Sequence, residues 1–254
     1  MVFHTFGEKS DPVVLLIHGM LTPWQIWDEA IAHFSKEYYV IVPELDAHTL
    51  EQKSKFDSVE KEAEILRDYL ISDIGGEVYL LCGLSMGGRI AATLGGMPGI
   101  KVKNLVLDGA PLLSLPKVMI GIMKSNYRSV LQRSVKRDSK MLESARKSFL
   151  PEKHIPEYLR IADQMEEESV ERILDSVFGK AVFPKYEGCR VLFMHGTKGN
   201  ETLSKKAALK MKAVNPQTQI NCYRGYNHAQ LACFEPEKWV EEVEQWLKQK
   251  ETGK

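Results

Sequence analysis

The chain has 254 residues, enough to bury a sizeable core, and its 44% hydrophobic and 27% charged content is ordinary for a water-soluble globular protein. Thirty-four Lys and Arg balance 34 Asp and Glu, which argues against a general attraction to nucleic acid or to an anionic membrane surface. No stretch approaches the roughly 20 consecutive apolar residues that cross a bilayer. The opening MVFHTFGEKSD lacks a basic region followed by an apolar run, so no secretory signal is visible. Cys82, Cys189, Cys222 and Cys233 are scattered, with neither a CxxC metal pair nor a disulfide framework. A soluble cytoplasmic protein without cofactor or metal is expected.

In chain order, short apolar runs alternate with longer amphipathic segments. VVLLIHG (13–19) and YYVIVPE (38–44) come first among the runs, then EVYLLCG (77–83), KVKNLVLDG (101–109), RVLFMHG (190–196) and TQINCYRG (218–225). Continuous apolar runs of this length predict parallel strands covered on both faces. Helices are predicted over Trp24–Phe34, Ser58–Ile71, Ser85–Leu94, Ser204–Val214 and Pro236–Gln249. Such alternation predicts an α/β protein with a mostly parallel central sheet, right-handed crossovers and helices on both faces.

Residues 111–188 break the rhythm, with helical patterns and no clear strand. Lys124–Lys147 carries eight Lys/Arg against Asp138 and Glu143, while Glu152–Asp175 carries eight Asp/Glu against Lys153, Arg160 and Arg172. The first reading is two solvated faces that pair with one another; the sharper one is a lid whose basic part meets an acidic substrate. Its position, inserted between two strands where binding loops collect, predicts a helical cap at 111–188 on a core of 1–110 and 189–254.

One motif stands out. CGLSMGG (82–88) contains G-x-S-x-G directly after an apolar strand and directly before a small-residue helix. That context suits a nucleophile held out on a sharp, strained turn, with Gly83 and Gly87 where a side chain would strike a neighbouring element. A serine hydroxyl needs a base to take its proton, and the attacked carbonyl needs hydrogen-bond donors for its developing charge. Ser85 is therefore the candidate nucleophile.

With these residues the chain resembles the α/β-hydrolase superfamily over nearly its whole length. LLIHGM (15–20) resembles the family's HG loop, which implies one oxyanion donor from the Met20 N–H; the other would be the Met86 N–H, at a helix N-terminus. VPELDAH (42–48) is similar to the loop after the next strand, where Asp46 and His48 are read as structural. The family's base lies between the last strand and the last helix, which here implies His228 in YRGYNHAQL. Its acid usually follows the strand that RVLFMHG resembles, yet the loop reads HGTKGNETLS, with Gly199 where an Asp is expected. Asp108, at the end of LVLD, is the expected substitute, as in some lipases of this fold. Glu201 is the alternative, and a dyad without an acid or a dead site is the third.

The resemblance implies a serine hydrolase cleaving a carboxylic ester or thioester of a small-molecule acyl substrate, through an acyl-enzyme. Two other readings stay open. One is a non-catalytic protein that binds small molecules in a hydrolase-like pocket, favoured by the missing Asp; the other is a lyase using the same pocket.

Overall fold

Three of the apolar runs form strands buried from end to end or nearly so, as a central position between two helix layers requires. The computed structural model describes residues 1–249. It places β1 (Val2–Phe6), β2 (Val13–Ile17), β3 (Tyr39–Glu44), β4 (Glu77–Leu84), β5 (Lys101–Asp108), β6 (Arg190–His195) and β7 (Gln219–Cys222) in one seven-stranded sheet. The order is β1-β3-β2-β4-β5-β6-β7, parallel throughout except for β1, which pairs antiparallel with β3. β1 was not anticipated. It is an edge strand, half-exposed along VFHTF, so it has no continuous apolar run to betray it.

The helices outside residues 111–188 are α1 (Asp28–Phe34, entered through a 3₁₀ turn at Trp24–Trp27), α2 (Val59–Ile74), α3 (Met86–Leu94), α8 (Glu201–Val214), α9 (Gln230–Phe234) and α10 (Pro236–Lys248). Ser58 caps α2 by accepting the Lys61 N–H at 3.0 Å, and Gly75 ends it with a left-handed residue at φ 74°. α2 and α3 pack together with β4, while α1 and α10 pack together through Trp27 and Trp239. No described helix is long and apolar enough to cross a membrane.

Between β5 and β6 the described chain has no strand. It forms α4 (Lys117–Val135), α5 (Ser139–Ser148), α6 (Ile155–Gln164) and α7 (Glu167–Gly179). The opposite charges of this region meet across α4 and α7. Lys124 pairs with Asp175 at 2.7 Å, Arg128 with Glu171 at 3.0 Å, and the Gln132 amide with Glu167 at 2.7 Å. Each rung moves four residues forward on α4 and four back on α7, so one turn of each helix separates successive rungs of an antiparallel pair. Lys124 and Arg128 are thereby turned to α7, as the reading of paired solvated faces expects.

Arg89 of α3 joins this region to the sheet. It is 0% exposed and donates to the Leu112 carbonyl at 3.4 Å and to the Lys180 carbonyl, at the two points where the chain leaves and re-enters. Leu112 also accepts the Val182 N–H at 3.0 Å, and Leu115 donates to Phe178 at 2.9 Å, so the two crossings are stitched together. Arg89→Ala is expected to lose about 3 kcal/mol, because it removes buried volume and takes the side-chain donor from the Lys180 carbonyl, while Leu112 keeps the Val182 N–H. Faster hydrogen exchange at the Val182 N–H, with the central strands unchanged, checks it.

Candidate functional site

Ser85 sits between β4 and α3 at φ 53°, ψ −118°, a conformation that L residues rarely adopt. Its amide donates to the Asp108 carbonyl at 2.8 Å, tying the turn to the end of β5. The tight crossing explains the glycines. A Cβ on Gly83 would lie 2.6 Å from the Gly88 Cα, and one on Gly87 would lie 2.7 Å from the Ile17 carbonyl carbon. Only residues without a side chain let α3 pass this close to β2 and β4.

His228 arrives from the loop after β7. Its Nε2 lies 2.8 Å from the Ser85 Oγ, and its Nδ1 lies 2.6 Å from the Glu201 Oε1. Glu201 is 1% exposed, whereas the imidazole is 40% exposed at the open end. The other Glu201 oxygen accepts the Gly196 N–H at 2.7 Å, and Oε1 also accepts the Ser204 hydroxyl at 3.2 Å. Burial by itself would raise this carboxyl's pKa. The hydrogen bond and attraction of His228 outweigh it, with Gly196 and Ser204 adding to them, and the net shift is downward. An ionised, acceptor-only Glu201 puts the proton of His228 on Nδ1 and leaves Nε2 to accept from Ser85.

Asp108 is not the carboxylate on the imidazole. It is 6% exposed and accepts the Trp239 Nε1–H at 3.1 Å. Burial first, then repulsion from Glu201, pushes its pKa up to about 7, against smaller opposing pulls from His228 and Trp239. The expectation that Asp108 orients the base is corrected, because α10 supplies a donor that holds its side chain while Glu201 occupies the imidazole nitrogen. The alternative, Glu201, is the carboxylate that meets the imidazole, and the helical pattern read from Ser204 begins three residues earlier. Helix α8 starts at Glu201, and that additional turn carries the carboxylate to the site. The available signal was an acidic residue just ahead of a helical pattern, with Gly199 at φ 61° turning the chain before it.

Gly109 backs the imidazole. It adopts φ 60°, and a Cβ there would lie 2.7 Å from His228 Cε1 and 2.9 Å from Nδ1. Gly109→Ala is expected to lower kcat/KM for an ester by about 100-fold, the scale of a misplacement of about 1 Å. Steady-state kinetics beside an unchanged circular dichroism spectrum checks this.

The HG loop is held by two histidines. His18 lies 2.9 Å from the Gly19 carbonyl through Nδ1 and accepts the Leu45 N–H at 3.2 Å. His48 lies 3.0 Å from the Asp46 carbonyl through Nδ1 and accepts the Leu21 N–H at 2.9 Å. Burial keeps both rings uncharged, with His18 pulled down to about 3 and His48 to about 4. The sequence showed no link from His48 to Leu21, since 27 residues separate them. Met20 and Met86 line the same cavity as Ser85 and His228, and neither N–H is taken up by a loop or turn among the described residues. The cavity holds about 290 Å³, with α4 and α7 contributing apolar walls such as Met123, Leu174 and Phe178.

The matched family model is described as alpha/beta hydrolase fold and covers residues 12–156. One relative, a pimeloyl-[acyl-carrier protein] methyl ester esterase from Nitrosomonas europaea, is 26% identical over 104 residues. That match spans 41% of this chain and 39% of the relative. Among solved structures, an alpha/beta hydrolase family protein from Desulfitobacterium hafniense aligns with a TM-score of 0.76 and 22% identity, over 97% of this chain and all of that one. A thermophilic esterase from Thermogutta terrifontis aligns at 0.74 and 21%, covering 97% of this chain and 92% of its own. With the family model matched over more than half its length and the sheet order, elbow and HG loop all in place, the chain belongs to the alpha/beta hydrolase fold family.

Proposed function

We propose that the protein is a serine hydrolase that cleaves a carboxylic ester or thioester of a small-molecule acyl substrate. The observation that carries this reading is the continuous relay Ser85 Oγ to His228 Nε2 at 2.8 Å and His228 Nδ1 to Glu201 Oε1 at 2.6 Å. His228 takes the proton of Ser85 as the oxygen attacks the acyl carbon. Glu201 fixes the tautomer and stabilises the imidazolium that forms. The Met20 and Met86 amides receive the negative charge of the tetrahedral oxygen, the second at a helix N-terminus whose dipole favours it. His228 then returns the proton to the departing alcohol or thiol. Water, activated by the same imidazole, attacks the acyl-serine carbonyl and releases the acid.

Residues 111–188 serve in this reading as a cap on a core of 1–110 and 189–254, setting the acyl preference through α4 and α7. The four cysteines are unpaired, in keeping with work in the reducing cytoplasm. A non-catalytic binder drew its support from the missing Asp at Gly199, and a Glu201 already on the imidazole removes that support. Labelling by a fluorophosphonate probe tests the proposal. Rapid labelling, with one adduct by intact mass, is expected; no labelling at any pH from about 6 to 9 overturns it. Failure to trap an acyl adduct with an ester that is nevertheless consumed would favour the lyase.

A further inference from the structure

We infer that the cavity is built for an uncharged substrate of about ten non-hydrogen atoms whose chain bears an oxygen function along its length, recognised by Tyr127; this rests on the hydrolase reading above. The size follows from a cavity of about 290 Å³ and a share of about 30 Å³ for each water-sized group. The charge follows from the lining, which contains no Lys, Arg, Asp or Glu among the described residues. A carboxylate or phosphate on the chain would lose its hydration against Leu112, Leu115, Met123, Leu174 and Phe178 with no counter-charge to replace it. Met119 and Met123 let the walls adapt to a bent chain.

The oxygen function follows from the polar groups that remain. Ser204 is committed to Glu201. Asn126 and Asn200 are exposed, so solvent satisfies them. Tyr127 is different: it is half-buried and lines the cavity, and its hydroxyl makes no hydrogen bond with any described residue. Burial pushes its pKa upward, so it stays a neutral phenol that both donates and accepts. An alkyl chain lying over this hydroxyl would take solvent from it and leave it unmatched, whereas an oxo, ether or hydroxyl oxygen on the chain would match it.

The test reads binding, so it does not depend on turnover. Ser85→Ala protein would be titrated calorimetrically with octanamide, with a series of oxo-octanamides whose carbonyl moves along the chain, and with the ω-carboxylate analogue. At least one oxo position is expected to bind about tenfold more tightly than octanamide, and the carboxylate at least tenfold more weakly. Adding Tyr127→Phe should erase the oxo advantage without weakening octanamide. Equal binding of all oxo isomers and octanamide, equal weakening of both by Tyr127→Phe, binding of the carboxylate as tight as octanamide, or no binding by any amide would each overturn the inference. The two readings fail separately. A Tyr127-dependent preference in a protein that neither hydrolyses esters nor takes the fluorophosphonate leaves the cavity assignment standing and ends the hydrolase proposal; ester turnover without that preference does the reverse.

Discussion

Glu201→Gln is expected to lower kcat/KM for a p-nitrophenyl ester by about 10⁴, the scale on which an amide in place of the orienting carboxylate costs a serine hydrolase. The amide can offer its NH₂ to Nδ1, which forces the proton to Nε2 and leaves Ser85 without an acceptor. Asp108→Asn should stay within about tenfold of wild type, since the new side chain keeps an oxygen for Trp239 and the Glu201 contact is untouched. The same pair separates by stability. Asp108 has its pKa raised from 3.8 to about 7 in the folded protein, so folding favours its protonated form. Its contribution to stability is complete below about pH 4 and is lost as pH rises through about 7. Denaturant midpoints measured across that range should fall with pH in wild type and fall less in Asp108→Asn. Glu201, with its pKa lowered, contributes in the opposite sense: its stabilisation is present above its ordinary carboxylate range and is lost in acid. Equal kinetic losses in the two variants would mean that both carboxylates steer the base.

Ser85→Ala is expected to abolish fluorophosphonate labelling and to reduce kcat by about 10⁶, the loss found when a serine nucleophile acts as one unit with its base. Ser85→Gly should be equally inactive yet more stable than Ser85→Ala by about 1 kcal/mol, because glycine adopts φ 53° without the crowding that a Cβ suffers there. Thermal unfolding of the three proteins, beside labelling and ester turnover, reads both effects. An active Ser85→Ala protein would move the chemistry to another residue. A Ser85→Gly protein no more stable than the alanine variant would mean that the elbow stores no strain.

How much of this was legible beforehand differs by element. The strands β2, β3 and β6, and the C-terminal halves of β4 and β5, were readable because segments covered on both faces must be apolar, and the elbow was readable because its glycines mark a crossing that no side chain survives. Ser85 followed from where β4 ends, and His228 from the family resemblance, which places the base between β7 and α10. The half-exposed β1 and the five-residue α9 left no such trace, and the first turn of α8 left only Glu201 ahead of the helical pattern.

Local pattern and steric limits over a few residues account for the inner strands and the sharp turn that presents Ser85. Which carboxylate meets the imidazole was decided only by tertiary structure. Asp108 and Glu201 are both buried acids, and the difference between them lies in partners far along the chain, Trp239 for one and His228, Gly196 and Ser204 for the other. Hydrogen-bond geometry falls off within a fraction of an ångström, so that choice is made by where helices α8 and α10 come to rest, which no spacing in the linear chain encodes.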